Sequence, residues 1–182
     1  MKIGIIGDTH VPTMSPVLPA RIEEVFKGLD IILHVGDVCE LYVLEDFQES
    51  HTLTFAVYGE SDSPQAQAYL DEQRVVRFGK RRVGMIHGHQ YEEIQKRARR
   101  GLRRFFGREP VPASLPEFLM EQFEGEEVHA IVFGHTHQPY VKMIDGVLLF
   151  NPGSALPGPG LRPSVGILEI SERSISGKFA YL

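Results

Sequence analysis

Short apolar runs alternate with segments of helical spacing along the first third of the chain. Three of the runs predict β-strands, over residues 3–7, 30–36 and 53–59. Two segments between them, 18–27 and 41–47, have apolar residues three and four positions apart and predict helices. Ser63-Pro64 predicts the start of a third helix, since proline is favoured in a first turn. Strands that alternate with helices are typical of a parallel sheet with helices packed over it.

The remainder of the chain has a different pattern, with two predicted β-hairpins. Gly79-Lys80 separates strand-like runs at 74–78 and 82–87, and Asp145-Gly146 separates runs at 140–144 and 147–150. Further strands are predicted at 130–133, 164–170 and 175–180, and helices at about 92–106 and 115–123. The loop 151–163, rich in proline and glycine, is expected to be the least ordered segment. These features predict either one mixed sheet or a second sheet packed on the first.

Side chains that can bind metals follow five of the predicted strands, each beside a glycine. In chain order they are Asp8 and His10, then Asp37, then Glu60 and Asp62, then His87 and His89, then His135 and His137. The i,i+2 spacing of the last pair points both imidazoles to one side of an extended segment. In parallel α/β sheets, ligands bind outside the carboxyl ends of the strands. Any one of these residues alone could be a helix cap or a loop histidine, but the recurrence at five strand ends predicts a shared metal site.

Composition and net charge argue against several classes of protein. A chain of 182 residues suits one domain, and 42% hydrophobic with 24% charged residues is ordinary for a globular protein. No apolar run approaches the roughly 20 residues of a membrane helix, and the first residues resemble a strand more than a signal peptide. The net charge of −5 argues against long nucleic acid as a partner. The single cysteine, Cys39, excludes an internal disulfide and predicts a cytoplasmic location.

The ordered motifs resemble those of the calcineurin-like metallophosphoesterases. The series is Gly-Asp-Thr-His, Gly-Asp, Gly-Glu-Ser-Asp, His-Gly-His and Gly-His-Thr-His, between residues 7 and 137. Two further stretches, His87-Gly-His-Gln and Asn151-Pro-Gly-Ser, are similar to the small single-domain phosphodiesterase branch and to its relative, the retromer subunit of the same fold. The resemblance implies an α/β protein with two stacked mixed β-sheets flanked by helices, in four layers. It also implies one domain over residues 1–182, with a basic helical insert at about 90–124.

The resemblance also implies two divalent metal ions and the residues that hold them. Asp8, His10 and His137 would bind the first ion, and Glu60, His87 and His135 the second, with Asp37 bridging both. A hydroxide between the ions would then attack phosphorus in line, as in two-metal phosphoesterases. Imidazole and carboxylate ligands together suit Mn²⁺, which is the expected metal, and also Zn²⁺, Fe or Ni²⁺. The implied substrate is a small phosphorylated molecule, with a phosphodiester preferred to a monoester.

Two positions depart from the family pattern. The family usually has asparagine at the position of Glu60 and, in many larger members, a histidine general acid at the position of Ser61. Glu60 therefore either ligates the second metal as an anion or swings away from it. His89 is then a candidate catalytic proton donor, although it could equally hold a neighbouring ligand in place. Asp62 is expected to contact the ligands and not the metal.

A strongly basic run follows the His-Gly-His motif, with seven Lys and Arg residues between positions 96 and 108. It could be a solvated helix face balanced by Glu92, Glu93 and the acidic run 121–127, or a wall that contacts the substrate phosphate. Three functions are therefore considered. The first is a metal-dependent phosphodiesterase, the second is a protein-binding scaffold with a vestigial metal site, and the third is a nuclease or nucleotide-binding role. Homo-oligomers are compatible with each of them.

Overall fold

The computed structural model describes residues 1–49, 53–99 and 112–182, and within them ten strands form two five-stranded sheets. The strands are β1 (Lys2–Ile6), β2 (Ile31–His34), β3 (Leu53–Ala56), β4 (Gln73–Phe78), β5 (Arg81–Ile86), β6 (Ala130–Val132), β7 (Tyr140–Ile144), β8 (Val147–Asn151), β9 (Ser164–Ile170) and β10 (Ile175–Tyr181). The helices are α1 (Arg21–Phe26), α2 (Tyr42–Glu49), α3 (Pro64–Tyr69), α4 (Gln90–Arg99) and α5 (Leu115–Gln122).

Both sheets are mixed, and each contains three neighbouring parallel strands. These lie at one side of the first sheet and at the centre of the second. The first has the order β10-β9-β1-β2-β3, in which β1, β2 and β3 are parallel and β9 runs antiparallel to β1. The second has the order β4-β5-β6-β8-β7, in which β5, β6 and β8 are parallel. The chain therefore has two stacked mixed sheets, as the family resemblance implied. The strand pattern alone had left open whether there is one mixed sheet or two, and the structure has two.

The main core lies between the two sheets. Ile3 and Leu33 from the first sheet and Val83 and Phe150 from the second belong to one buried cluster. Each of these side chains is 0% exposed. Complete burial of such a side chain contributes about 1.5–3 kcal/mol relative to exposure. Apolar contact between the sheets thus fixes their relative position, and with it the distance between the loops at their strand ends.

Helices cover the outer face of each sheet. Ile22 and Phe26 of α1 pack against Ile6 and Ile32 on the outer face of the first sheet. On the outer face of the second sheet, Phe118 and Leu119 of α5 pack against Ile86, Ile131 and Leu149. These two helix layers and the two sheets complete the four-layer α/β/β/α arrangement. Among the helices of the described ranges, none combines the length and hydropathy needed to cross a membrane.

The two predicted hairpin turns are present. Phe78 pairs with Arg81 across Gly79-Lys80, and Ile144 pairs with Val147 across Asp145-Gly146. Asp145 and Gly146 have φ values of 47° and 84°. Positive φ at both central residues is the geometry of a tight hairpin turn, for which Asp-Gly is a preferred sequence.

Two predicted segments differ from the structure, and a third lies partly outside the described residues. The helix predicted over 18–27 begins only at Arg21, because Leu18 precedes Pro19 and is thereby disfavoured in helical conformation. The loop 151–163 is not uniformly poorly ordered. Its residues 151–156 are buried, and the Asn151 side chain binds the backbone of Gly134 and Gly153. The predicted helix 92–106 and its basic run extend outside the described residues, with only α4 inside them.

Candidate metal centre

The two sheets bring the five motif loops together at one edge of the molecule. β1, β2 and β3 are parallel, and so are β5, β6 and β8, so the carboxyl ends within each set lie side by side. Backbone hydrogen bonds join the loops that follow: Asp8 N–H donates to Gly36 O and His10 N–H to Asp37 O, both at 3.0 Å. Gly134 N–H donates to His87 O at 3.0 Å. The side chains after these strands therefore face one cleft.

Five of the predicted ligands adopt left-handed backbone conformations. The φ values are 51° for Asp8, 45° for His10, 55° for Asp37, 67° for His135 and 56° for His137. Left-handed conformations cost an L-residue roughly 1–2 kcal/mol each. Such strain persists where the surrounding structure over-determines it, and it concentrates at functional sites. The backbone at these loops is thus shaped to aim side chains at the cleft.

Glycines beside the ligands let the loops approach closely. A Cβ added at Gly36 would lie 2.5 Å from His87 Nδ1, and one at Gly134 would lie 3.0 Å from Asp8 Oδ2. At Gly59 it would overlap the Asp37 carboxylate. Gly36, Gly59 and Gly134 are therefore required by packing between loops.

The first group of candidate ligands consists of Asp8, His10, Asp37 and His137. Their ligand atoms all lie within 4.8 Å of one another. His10 Nε2 is 3.2 Å from His137 Nε2, and His137 Nε2 is 3.3 Å from Asp8 Oδ1. Atoms bound to a common ion about 2.0–2.2 Å away lie roughly 3–3.5 Å apart, so these spacings fit metal coordination.

The second group consists of Glu60, His87 and His135. Glu60 Oε1 is 2.8 Å from His135 Nδ1, and Glu60 Oε2 is 3.0 Å from His87 Nε2. The Glu60 side chain thus lies among the imidazoles and does not swing away from them, although 42% of its surface stays exposed. Its ligand atom and those of the two histidines also lie within 4.8 Å of one another.

Asp37 lies between the two groups. Its Oδ2 atom is 3.6 Å from His10 Nε2 in the first group and 3.5 Å from His87 Nε2 in the second. Ser61 makes two hydrogen bonds with this carboxylate: its backbone N–H donates to Oδ1 at 2.8 Å and its hydroxyl to Oδ2 at 2.9 Å. The sequence suggested only that Ser61 replaces a general acid, and its contact with Asp37 was not predicted.

Several buried polar atoms in the cleft have no hydrogen bond of good geometry within the described ranges. They are Asp8 Oδ2, His87 Nε2, His89 Nδ1 and His135 Nε2. Buried polar atoms are normally satisfied, and those that are not call for an unseen partner. Imidazole nitrogens and carboxylate oxygens are ligands of first-row divalent metals. The residues of the cleft therefore fit a metal site.

The remaining contacts of His87 select its ligand atom. Its Nδ1 atom lies 2.7 Å from the Val35 carbonyl oxygen, to which an N–H can donate. A proton on Nδ1 leaves the lone pair on Nε2 directed at Asp37 and Glu60. A backbone carbonyl thus fixes the tautomer that can bind a metal.

The pKa values around the second group are shifted in opposite directions. Burial opposes protonation of His87, but the carboxylates of Asp37 and Glu60, 3.5 and 3.0 Å from its Nε2 atom, outweigh it and raise the pKa of His87 well above its ordinary value. Burial also opposes protonation of His135, whose pKa is raised by Glu60. The pKa of Glu60 is correspondingly lowered, against the effect of burial, by its close contacts with His135 and His87. Protonated His87 and His135 therefore balance the charge of the ionised Glu60 carboxylate when no metal does.

Asp62 and His89 lie beside the two groups. Asp62 accepts hydrogen bonds from Cys39 N–H at 2.6 Å and Gly59 N–H at 2.7 Å, so it ties two of the loops together. His89 Nδ1 lies 3.6 Å from Glu60 Oε2. Burial and the neighbouring His87 lower the pKa of His89. The lowered pKa makes His89 a weaker source of protons at neutral pH, and both roles suggested by the sequence, proton donor and support of a neighbouring ligand, stay predictions.

His34 and Glu92 are two further residues at the site that the sequence analysis did not predict. His34 is completely buried, and its pKa is lowered to about 4, mainly by burial. Gly36 N–H donates to its Nδ1, so Nε2 carries the proton and donates to Thr9 Oγ1 at 3.0 Å. His34 thereby joins the loops of Asp8 and Asp37. Glu92 lies on α4, outside every motif, and its Oε1 atom is 3.3 Å from His135 Nε2.

The calcineurin-like phosphoesterase superfamily domain matches residues 1–173 of this chain. The chain belongs to this superfamily. The structure has the superfamily's two mixed β-sheets flanked by helices, and its strand-end loops carry the candidate ligands. The family assignment that the sequence motifs suggested is therefore confirmed.

Three comparisons place the chain among relatives of similar length. It is 28% identical over 178 residues to a probable metallophosphoesterase of Methanothermobacter thermautotrophicus, covering 98% of this chain and 91% of the relative. It is 22% identical to a phosphodiesterase of Methanocaldococcus jannaschii, covering 95% of each. The structure of vacuolar protein sorting 29 from Cryptosporidium parvum superimposes with a TM-score of 0.71 at 20% identity, covering 100% of this chain and 97% of that one. At that identity the superposition shows a shared fold.

Proposed function

We propose that this phosphoesterase-superfamily protein hydrolyses a small phosphodiester with two divalent metal ions. The observation that carries the proposal is the position of Asp37, whose Oδ2 atom lies 3.6 Å from His10 and 3.5 Å from His87. A carboxylate shared by two ligand groups is what a dinuclear centre requires. The named relatives of similar length, a metallophosphoesterase and a phosphodiesterase, support the same reaction class.

Each ion has its own set of ligands in this proposal. Asp8, His10 and His137 hold the first ion, Glu60, His87 and His135 hold the second, and Asp37 contributes to both. The mixture of imidazoles and carboxylates favours Mn²⁺, with Zn²⁺, Fe or Ni²⁺ as alternatives. When bound, such ions lower the pKa of a water molecule and polarise the phosphoryl oxygens.

The protein residues then have separate tasks. Ser61 donates to both oxygens of Asp37 and so keeps the shared carboxylate oriented. Asp62 and Asn151 hold the surrounding loops through backbone hydrogen bonds. His89, with a lowered pKa, serves to position Glu60. In this arrangement the leaving group takes its proton from solvent, which suits a phosphodiester whose leaving group is a good one.

A protein-binding scaffold is the second candidate function. Its support is that Glu60 already pairs with His87 and His135, so the second group is charge-balanced without an ion. The shared fold with vacuolar protein sorting 29 is compatible with this role. Under either function we propose a reducing, cytoplasmic setting, since the chain's one cysteine, Cys39, is buried and unpaired.

Two basic residues of the run 96–108 have acidic partners within α4. Lys96 Nζ lies 3.0 Å from Glu92 and Arg97 Nη2 lies 3.5 Å from Glu93. These two basic side chains are therefore balanced within α4, as expected of a solvated helix face. The other five basic residues of the run are not covered by this observation.

Metal analysis combined with hydrolysis of two aryl phosphates tests the function. The purified protein is chelated, reloaded with Mn²⁺ and assayed with bis(p-nitrophenyl) phosphate and p-nitrophenyl phosphate. We expect two ions per chain and faster hydrolysis of the diester. His137→Ala is expected to lose mainly the first ion and His135→Ala mainly the second. Two ions bound without hydrolysis of either substrate would favour the scaffold, and activity that survives full chelation would contradict both the metal-dependent mechanism and the non-catalytic scaffold.

A further inference from the structure

Helix α4 places a carboxylate against the far side of the His135 ring. Glu92, in the first turn of the helix, has its Oε1 atom 3.3 Å from His135 Nε2. The opposite ring nitrogen, Nδ1, is 2.8 Å from Glu60 Oε1. The His135 side chain is 14% exposed, so both carboxylates approach a largely buried ring.

The two nitrogens of His135 cannot have the same role in a metal site. Nδ1 faces Glu60 and, through it, His87, so Nδ1 is the nitrogen directed at the second ligand group. A neutral imidazole that binds a metal through Nδ1 must carry its proton on Nε2. A carboxylate facing that N–H orients the ring, selects the tautomer and makes the ligand nitrogen more basic. Glu92 is the carboxylate in that place.

Helix α4 follows the His87-Gly88-His89 loop directly, and Glu92 gives it a side-chain contact with a second motif loop, that of His135. Tyr91 and Ile94 pack against the outer core of the second sheet, and Gln90 Nε2 donates to Glu72 Oε1 at 2.9 Å. Gln95 Nε2 donates to Pro112 O at 2.9 Å, toward α5. Among the described side chains of α4, Glu92 is the one whose ion pair reaches a candidate metal ligand. The pair has an ion-pair distance without the alignment of a hydrogen bond, so it can tighten.

We propose that Glu92 is a positioning residue that couples helix α4 to the second metal position. This inference rests on the two-metal function proposed above. Coupling between two sites is reciprocal. The free energy by which Glu92 favours binding of the second ion is therefore also the free energy by which the bound ion stabilises α4. The helix from which the basic segment continues would then be held in place by the metal centre.

Glu93 supplies a matched control for the test. It lies in the same first turn, is 53% exposed like Glu92, and makes the equivalent i,i+4 pair with Arg97. Glu92→Gln and Glu93→Gln therefore remove the same charge from the same part of the helix. They differ in that Glu92 faces His135 Nε2.

The first measurement is a calorimetric titration of the chelated full-length protein with Mn²⁺. Loss of a carboxylate that supports a metal-bound histidine lowers metal affinity about 10- to 100-fold. We expect Glu92→Gln to weaken the second binding step by roughly 10-fold or more and to leave the first step unchanged. Glu93→Gln is expected to match the parent protein in both steps.

The second measurement is amide hydrogen exchange over residues 90–99, with and without Mn²⁺. Mn²⁺ is expected to slow exchange in α4 of the parent and of Glu93→Gln, and to have a smaller effect in Glu92→Gln. A purely structural role of Glu92 in the helix would change exchange equally with and without metal. Equal behaviour of the two variants in both measurements would overturn the inference and leave the two-metal function intact. A parent protein that binds a single ion would overturn both.

Discussion

Replacement of Glu60 by glutamine changes the charge of the second ligand group and preserves the length of the side chain. Glu60 reaches both His135 and His87, at 2.8 and 3.0 Å, so a shorter residue cannot span the same two contacts in this backbone. Glutamine can still present an amide oxygen to a metal. The substitution therefore isolates the negative charge, which is the feature in which this chain departs from the family pattern.

The expected magnitude follows from the distance and exposure of the carboxylate. Two unit charges 4 Å apart interact by about 4 kcal/mol at an effective dielectric constant of 20. The Glu60 side chain is 42% exposed, so solvent screens a large part of this energy. A loss of about 1–2 kcal/mol remains, which corresponds to roughly a 5- to 30-fold weaker second ion.

The same substitution is expected to help the reaction once metal is saturating. Asp8, Asp37 and Glu60 bring three negative charges to two divalent ions, and Glu60→Gln leaves two. A more positive centre attracts an anionic diester more strongly and lowers the pKa of a metal-bound water. Turnover at saturating Mn²⁺ should therefore rise, and the acidic limb of the activity–pH profile should move to lower pH.

Two experiments on the parent and on Glu60→Gln test the expected loss of metal affinity and the expected gain in turnover. The Mn²⁺ dependence of bis(p-nitrophenyl) phosphate hydrolysis gives the metal requirement, and the pH profile at saturating Mn²⁺ gives the acidic limb. Glu60→Asn, which loses both the charge and the reach of the side chain, should show at least the same loss of metal affinity with less gain in turnover. If neither the metal requirement nor the acidic limb of Glu60→Gln moves, Glu60 is not a metal ligand and the reasoning fails.

Three further predictions concern the shared carboxylate, a loop glycine and the metal-free protein. Asp37→Asn should remain folded by circular dichroism and lose activity, and stoichiometric binding of two ions by this variant would contradict its bridging role. Gly59→Ala should abolish binding of the second ion, because the new Cβ would overlap Asp37 and lie 2.7 Å from His87 Cδ2; an unchanged calorimetric titration would refute this. His87 and His135 have raised pKa values in the metal-free fold, so their contribution to stability is complete below the ordinary histidine pKa of 6.5 and is lost as pH rises through the raised values. The melting temperature of chelated protein should therefore fall as pH rises above 6.5, well above the lowered pKa of His34, while metal affinity rises. A melting temperature that rises with pH in this range would count against the assignment.

The strands and the candidate ligand positions were predictable because their signals are local. Each motif loop follows a short apolar run, and a glycine lies beside its metal-capable residues, as in Gly7-Asp8, Gly36-Asp37 and His87-Gly88-His89. Parallel strands then bring their carboxyl ends to one edge without further information. The grouping of Asp8, His10 and His137 apart from Glu60, His87 and His135 came from the family resemblance, and the distances in the structure agree with it.

The residues that support these ligands were not predictable, because they belong to no motif. Glu92 lies in a helix whose sequence indicates only a solvated, charged face, yet it contacts His135. His34 occupies an ordinary position in an apolar strand, and its link to Thr9 depends on the register of β1 against β2. Ser61 was noted as a missing acid, while its contact with Asp37 depends on how two loops meet.

The sequence by itself determined the order of elements, the family and the set of side chains able to bind a metal, since each of these depends on neighbouring residues or on a motif. The tertiary structure decided which way the antiparallel strands divided, with β9 and β10 joining the first sheet and β4 and β7 the second. It also decided that Glu60 turns toward His87 and His135, and that Asp37 lies between the two ligand groups. Contacts of this kind depend on the distance between two sheets, which is set by the packing of residues such as Ile3, Leu33, Val83 and Phe150 that are far apart along the chain.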